Sequence, residues 1–158
     1  VRYYFAGRYS RHAELAGYRD QLELIPGAEV TSRWIDCHDG ELEASYTPEV
    51  LNADPEACWR HGQADMEDLD AADAIVSFTG DGGGGKGGRH IEHGWAIGQW
   101  MAMEHSAFRL IIVGPRENIF HCHPATEVYP DFQAFLAHEL MTLGERMARE
   151  LHPGILDG

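Results

Sequence analysis

At 158 residues the chain is long enough for one compact domain whose core needs no disulfide or metal staple. A net charge of −14, with only 12 lysines and arginines, excludes a general duplex-binding surface but not a small anionic ligand held by a few local cations and backbone amides. Three cysteines without CxxC spacing indicate neither a disulfide framework nor a zinc ribbon, and no apolar stretch approaches the roughly 18 residues of a membrane span, so a cytoplasmic, soluble protein is expected.

The β-prone run RYYFAG (2–7) predicts a first strand, and Leu15, Tyr18 and Leu22 give 10–27 the spacing of a helix. AEVTSRW (28–34) reads as a second strand, followed by a polar, acidic stretch to about Asn52 that reads as a lid or loop. An Asp-Pro opening with acids in the first turn predicts a helix over 54–73. DAIVSFTG (73–80) is nearly continuously apolar, as in a strand buried on both faces. A glycine-rich loop (81–88), a helix (89–104), the apolar strand FRLIIVG (108–114) and a last helix (131–151) follow. Strands alternating with helices imply a doubly wound parallel sheet, with the ligand at the carboxyl ends of the strands. Three loops lie there: GRYSR, TGDGGGGKGG and GPRENIFHCHP.

The glycine-rich loop is not a Walker A loop, because Lys86 is followed by Gly87, and it lacks the spacing of a dinucleotide fingerprint. Just behind it stands Glu92, between His90 and His93, where helix-start amides would favour its ionised form. A carboxylate pair about 5 to 5.5 Å apart can cleave a glycosidic bond by double displacement. Asp65, Asp68, Asp70, Asp73 and Asp81 are the candidate partners for Glu92. His90, His93, His121 and His123 admit a competing metal-cluster reading, but nothing matches HExxH, and no metal or cofactor is expected. Trp95, Trp100, Met101 and Met103 read as core rather than as a base-stacking platform.

YYFAG, DMEDLDAADAIVSF (65–78), GGRHIEHGWAIG (87–98) and IIVGPRENIFHCHP together resemble the nucleoside 2-deoxyribosyltransferase superfamily, which also holds nucleoside 5'-monophosphate N-hydrolases. Asp65 stands eight residues before Asp73, and Gly88, Glu92 and Gly94 match the family's G-x-x-x-E-x-G setting. The resemblance implies Glu92 as nucleophile, Asp65 as acid/base group and Tyr4 as the group that orients Glu92. It implies substrate binding by Gly7, Arg8, Ser10 and Arg11 in the first loop, Asp81, Lys86 and Gly88 in the second, and Asn118 in the third, with Arg8, Arg11 and Lys86 converging on a 5'-phosphate. The expected fold is a three-layer α/β/α, flavodoxin-like, doubly wound, mostly parallel five-stranded sheet, as a single domain over 1–152 with a C-terminal tail at 153–158. The expected activity is cleavage of the N-glycosidic bond of a (deoxy)nucleoside or nucleotide through a glycosyl-glutamate. Hydrolysis of a nucleoside 5'-monophosphate is the alternative, and a non-catalytic nucleotide sensor would keep the same fold. The expected partners are a small-molecule nucleoside or nucleotide and further copies of the chain in a homodimer or higher oligomer, with no long nucleic acid and no membrane.

Overall fold

Three short apolar runs form the middle of the sheet: β1 (Arg2–Ala6), β3 (Ala74–Phe78) and β4 (Arg109–Val113). All five residues of β3 are buried, as a central parallel strand covered on both faces requires. The computed structural model describes residues 1–36, 48–80, 87–102 and 108–151. Its strands run in the order β2-β1-β3-β4-β5, all parallel, where β2 is Glu29–Val30 and β5 is Thr126–Tyr129. This is the flavodoxin-like order, and its switch point lies between β1 and β3.

Alternation along the strands sorts the core into two layers. Tyr3, Phe5, Val76, Phe78, Ile111 and Val113 face Leu15 and Leu22 of α1 (His12–Leu22) and Phe132 and Phe135 of α5 (Phe132–Leu151). On the other face Tyr4, Ala6, Ile75 and Leu110 meet Leu69 of α3 (Pro55–Asp70) and Ala96 of α4 (Gly88–Ala102). A short α2 (Pro48–Ala53) precedes α3, whose first residue, Pro55, sits where a helix needs no amide donor. The ladder pairs Ala6 with Ser77 and Ser77 with Ile112, so the loops after β1, β3 and β4 leave the sheet at one edge.

Several expected elements are shorter or different. The first helix opens with a 3-10 turn at Tyr9–Arg11. The second strand is only two residues long. Beyond it, side chains replace the ladder, because Phe5 N donates to Ser32 Oγ at 2.6 Å and Trp34 Nε1 donates to Phe5 O at 2.9 Å. The chain then turns into a 3-10 helix at Arg33–Asp36. Of the stretch expected as lid or loop, 37–47 lies outside the described residues and Pro48–Ala53 is helical. The fifth strand of the expected sheet, not placed from the sequence, is Thr126–Tyr129, a four-residue, half-buried edge strand without an apolar run. Trp95 and Met101 are exposed, not core: Trp95 turns outward to donate Nε1 to Asp70 Oδ1 at 2.9 Å. Trp100 does pack on the core, and Met103 and the tail lie outside the described residues.

Gly114 ends β4 with φ of 119°, and a Cβ there would stand 2.5 Å from Thr79 Oγ1 and 2.8 Å from Thr79 O. The second and third carboxyl-edge loops therefore approach each other too closely for a side chain. Gly114→Ala should lower stability to denaturant by about 2–3 kcal/mol, because positive φ and backbone overlap act together. Gly98→Ala, within α4 and with nothing within 4 Å of the added methyl, should instead raise it by about 0.5–1 kcal/mol.

Candidate active site

Tyr4 is fully buried in β1, and its phenol donates to Glu92 Oε1 of α4 at 2.9 Å. Glu92 is the fifth residue of its helix, one turn before Ala96, so the helical period that seats Ala96 on the core also points Glu92 toward the sheet. Across from it, α3 presents Asp65. Burial, the Asp65 charge and the Tyr4 hydrogen bond act together on Glu92; the first two dominate and push its pKa up to about 7. Burial, then the charge of Asp68, push Asp65 up to about 6. Burial and the charges of Glu92 and Asp65 raise Tyr4, which stays a proton donor at any ordinary pH.

The expectation that helix-start amides keep Glu92 ionised is corrected by its position. Of the amides at the start of α4, those of His90 and Ile91 turn back to Gly87 O, and Glu92 lies beyond them on the second turn. With both proton affinities raised, Glu92 and Asp65 form a carboxyl pair that holds about one proton between pH 6 and 7.

The other candidate partners have different attachments. Asp68 is buried and takes Arg33 N at 2.9 Å and Arg33 Nε at 2.6 Å. Asp70 Oδ1 accepts from Trp95 and Gln99 on the outside of the helices. Asp73 binds Arg2 at the amino edge of the sheet, the end opposite the crevice. Asp81 lies outside the described residues, as does Lys86.

The first loop holds Gly7, Arg8, Ser10 and Arg11. Gly7 has a packing reason of its own, since a Cβ there would meet Leu15 Cδ1 at 2.7 Å. Arg8 is half-buried, Ser10 is exposed, and Arg11 donates Nε and Nη2 to Glu14 at 2.7 and 2.9 Å. A phosphate would have to compete with Glu14 for Arg11.

Gly88 opens α4 with nothing within 4 Å of a Cβ position. Next to it Arg89 pairs with Glu117, whose other oxygen accepts from Gly80 N at 2.9 Å, and this ties the second and third loops together. Asn118 caps the 3-10 turn Ile119–Cys122 by accepting from Phe120 N and His121 N, while its Nδ2 lies 3.1 Å from His90 Nδ1. His93 is buried against Ser77 Oγ at 2.9 Å and edge-on to His121, and burial holds it down at about 4, hence neutral. Trp100 takes His123 edge-on. These contacts make the histidines packing groups, and among the described residues no three His, Cys, Asp or Glu side chains converge as a metal site would require.

Arg33, Ser77, Arg89 and Glu117 were not singled out in the sequence. Each acts through a partner at least 16 residues away, a relation that periodicity does not carry. A cavity of about 650 Å³ lies at the opposite edge, against Arg109, Glu127 and Glu139, and includes none of the carboxyl pair.

The fold and site define a flavodoxin-like α/β protein with a phenol-linked carboxyl pair at its switch point. No protein-family model and no curated protein matches the chain. Among solved structures it is similar to the CMP N-glycosidase BcmB of Clostridium botulinum, with 18% identity over 89% of this chain and 99% of that one, and a TM-score of 0.49. No helix among the described residues is long and apolar enough to cross a membrane.

Because folding raises the proton affinity of Glu92, its ionisation opposes folding: the penalty is absent below its ordinary value near 4.5 and complete above about 7. Glu92→Gln should therefore stabilise the protein at pH 8 by an amount on the order of 1–3 kcal/mol, and the gain should vanish at pH 4, as read by denaturant unfolding at the two pH values.

Proposed function

We propose that the protein cleaves the N-glycosidic bond of a nucleoside or its 5'-monophosphate, with Glu92 as nucleophile and Asp65 as general acid and then base. The observation that carries this reading is the pair of half-buried carboxyls, Glu92 receiving the Tyr4 phenol and feeling the Asp65 charge. The resemblance of residues 65–98 to the deoxyribosyltransferase superfamily supports the same roles.

In the reacting state an ionised Glu92 oxygen attacks the anomeric carbon as the carbon–nitrogen bond breaks. The bonding electrons pass to the base, which takes the proton of Asp65 and leaves neutral. In the free protein Glu92 holds a proton more tightly than Asp65 does. Positive charge developing on the sugar favours the Glu92 anion, so the single proton of the pair shifts to Asp65 as the transition state forms. Tyr4 supports this by donating only to Glu92. In the second half Asp65 removes a proton from the incoming group, whose electron pair displaces Glu92 from the anomeric carbon. Water as that group gives hydrolysis, and a second nucleobase gives transfer.

Arg8 and Ser10 at the first loop, with Lys86 and Asp81 in the glycine-rich loop, are the proposed contacts of phosphate and sugar. Gly7, Gly88 and Asn118 shape the rim. A second copy of the chain is the proposed protein partner.

The test is release of free base from deoxynucleosides and their 5'-monophosphates, with and without an acceptor base. Plain release identifies hydrolysis, and acceptor-dependent exchange identifies transfer. The dependence of kcat/KM on pH should be a bell with limbs near 6 and 7. Only the state with Glu92 ionised and Asp65 protonated reacts, so activity falls as the pair gains a second proton, at the Asp65 titration, and as it loses its last, at the Glu92 titration. Asp65→Asn should slow base release by roughly 10²- to 10⁴-fold. No release from any of these substrates, or a Glu92→Ala protein with full activity, contradicts the proposal.

A further inference from the structure

Asp65 and Asp68 lie three residues apart on α3, so they are neighbours on one helix face. Their surroundings differ. Both oxygens of Asp68 are occupied by donors of a single residue, Oδ2 by Arg33 N at 2.9 Å and Oδ1 by Arg33 Nε at 2.6 Å. Neither donor can accept a hydrogen bond, so a proton on Asp68 would break one of the two. Arg33 Nη2 also reaches Ala64 O at 3.2 Å and Glu67 Oε2 at 3.3 Å, which spans the turn that carries Asp65. Asp65 has no such clamp: its carboxyl makes no hydrogen bond to another described residue. The Asp68 charge one turn away disfavours ionisation of Asp65.

We propose that Asp68, clamped by Arg33, is a positioning residue that keeps the acid/base carboxyl of Asp65 proton-bearing between turnovers. This rests on the reading of Asp65 as the acid/base group. The groups that face Asp65 are Asp68 on its own helix, Arg33 from the turn after β2, Glu92 from α4 and the Tyr4 phenol from β1. Asp68 favours the proton on Asp65 and Arg33 opposes it, so the two members of one ion pair act on Asp65 in opposite senses.

That opposition separates a proton-setting role from a merely structural one. Asp68→Asn should move the acid limb of the pH–rate profile, which the proton affinity of Asp65 sets, to lower pH by half a pH unit or more. Arg33→Gln should move it to higher pH, and Arg33→Lys, which keeps the charge, should return it toward the wild-type position. The Arg33 side chain is 62% exposed, so its replacement leaves the core intact even where Asp68→Asn does not fold. The same shifts should be seen without substrate, by 13C NMR titration of the Asp65 carboxyl in the full chain and in both Arg33 variants. If base release is never observed but the Asp65 carboxyl titrates as described, the proposed reaction fails and the positioning role stands. Limbs and NMR titrations that stay fixed, or that move the same way in the Asp68 and Arg33 variants, overturn the positioning role.

Discussion

The hydrogen bond from Tyr4 to Glu92 joins the central sheet to the helix above it, and the proposed chemistry of the crevice depends on it. Tyr4 is fully buried on β1, between β2 and β3, so its phenol ties one carboxylate oxygen to the centre of the sheet. The 2-1-3-4-5 strand order opens a crevice beside that phenol, and α3 brings Asp65 to the same place. Two carboxyls packed against an apolar layer oppose folding when ionised, and the fold retains them there. Sites where stability is given up in this way are where function is expected.

The carboxylates that brace this acidic fold are paired with specific arginines. Arg2 holds Asp73, Arg33 holds Asp68, Arg89 holds Glu117, and Arg109 holds both Glu127 and Glu139. Each pair fixes a sheet edge, a loop or a helix. Glu92 and Asp65 lie outside this system: Glu92 has a neutral phenol as partner, and the nearest cation to Asp65 is already bound to Asp68. A proton is thus left to settle between them, as acid/base work near neutral pH requires.

The sequence made the centre of the fold legible because β1, β3 and β4 are apolar on both faces, a signal that needs no context. The edge strands carried no such signal. Beyond Val30, Ser32 and Trp34 bond to the backbone of Phe5, and β5 is four half-buried residues. At the site, the spacing of Asp65, Asp73 and Glu92 marked the two segments that the structure brings to Tyr4, but composition could not separate Asp65 from Asp68. That distinction is made by Arg33, which arrives from 35 residues away. The inward turn of Glu92 was legible from the helical period, whereas its raised proton affinity was not, because it comes from burial and from a charge on another helix. Trp95 read as core because indole area usually is buried, yet its N–H is committed to Asp70 on the surface.

The central claim is that Glu92 bonds to the sugar. The most direct measurement is mass spectrometry of the protein mixed with a 2-fluoro-2-deoxynucleoside or its 5'-monophosphate, whose electron-withdrawing fluorine slows turnover of the glycosyl ester. The account predicts one added fluorosugar per chain, mapped by peptide fragmentation to Glu92, and none on Glu92→Gln. Release of base with no adduct at any time, or an adduct on a residue other than Glu92, would contradict it.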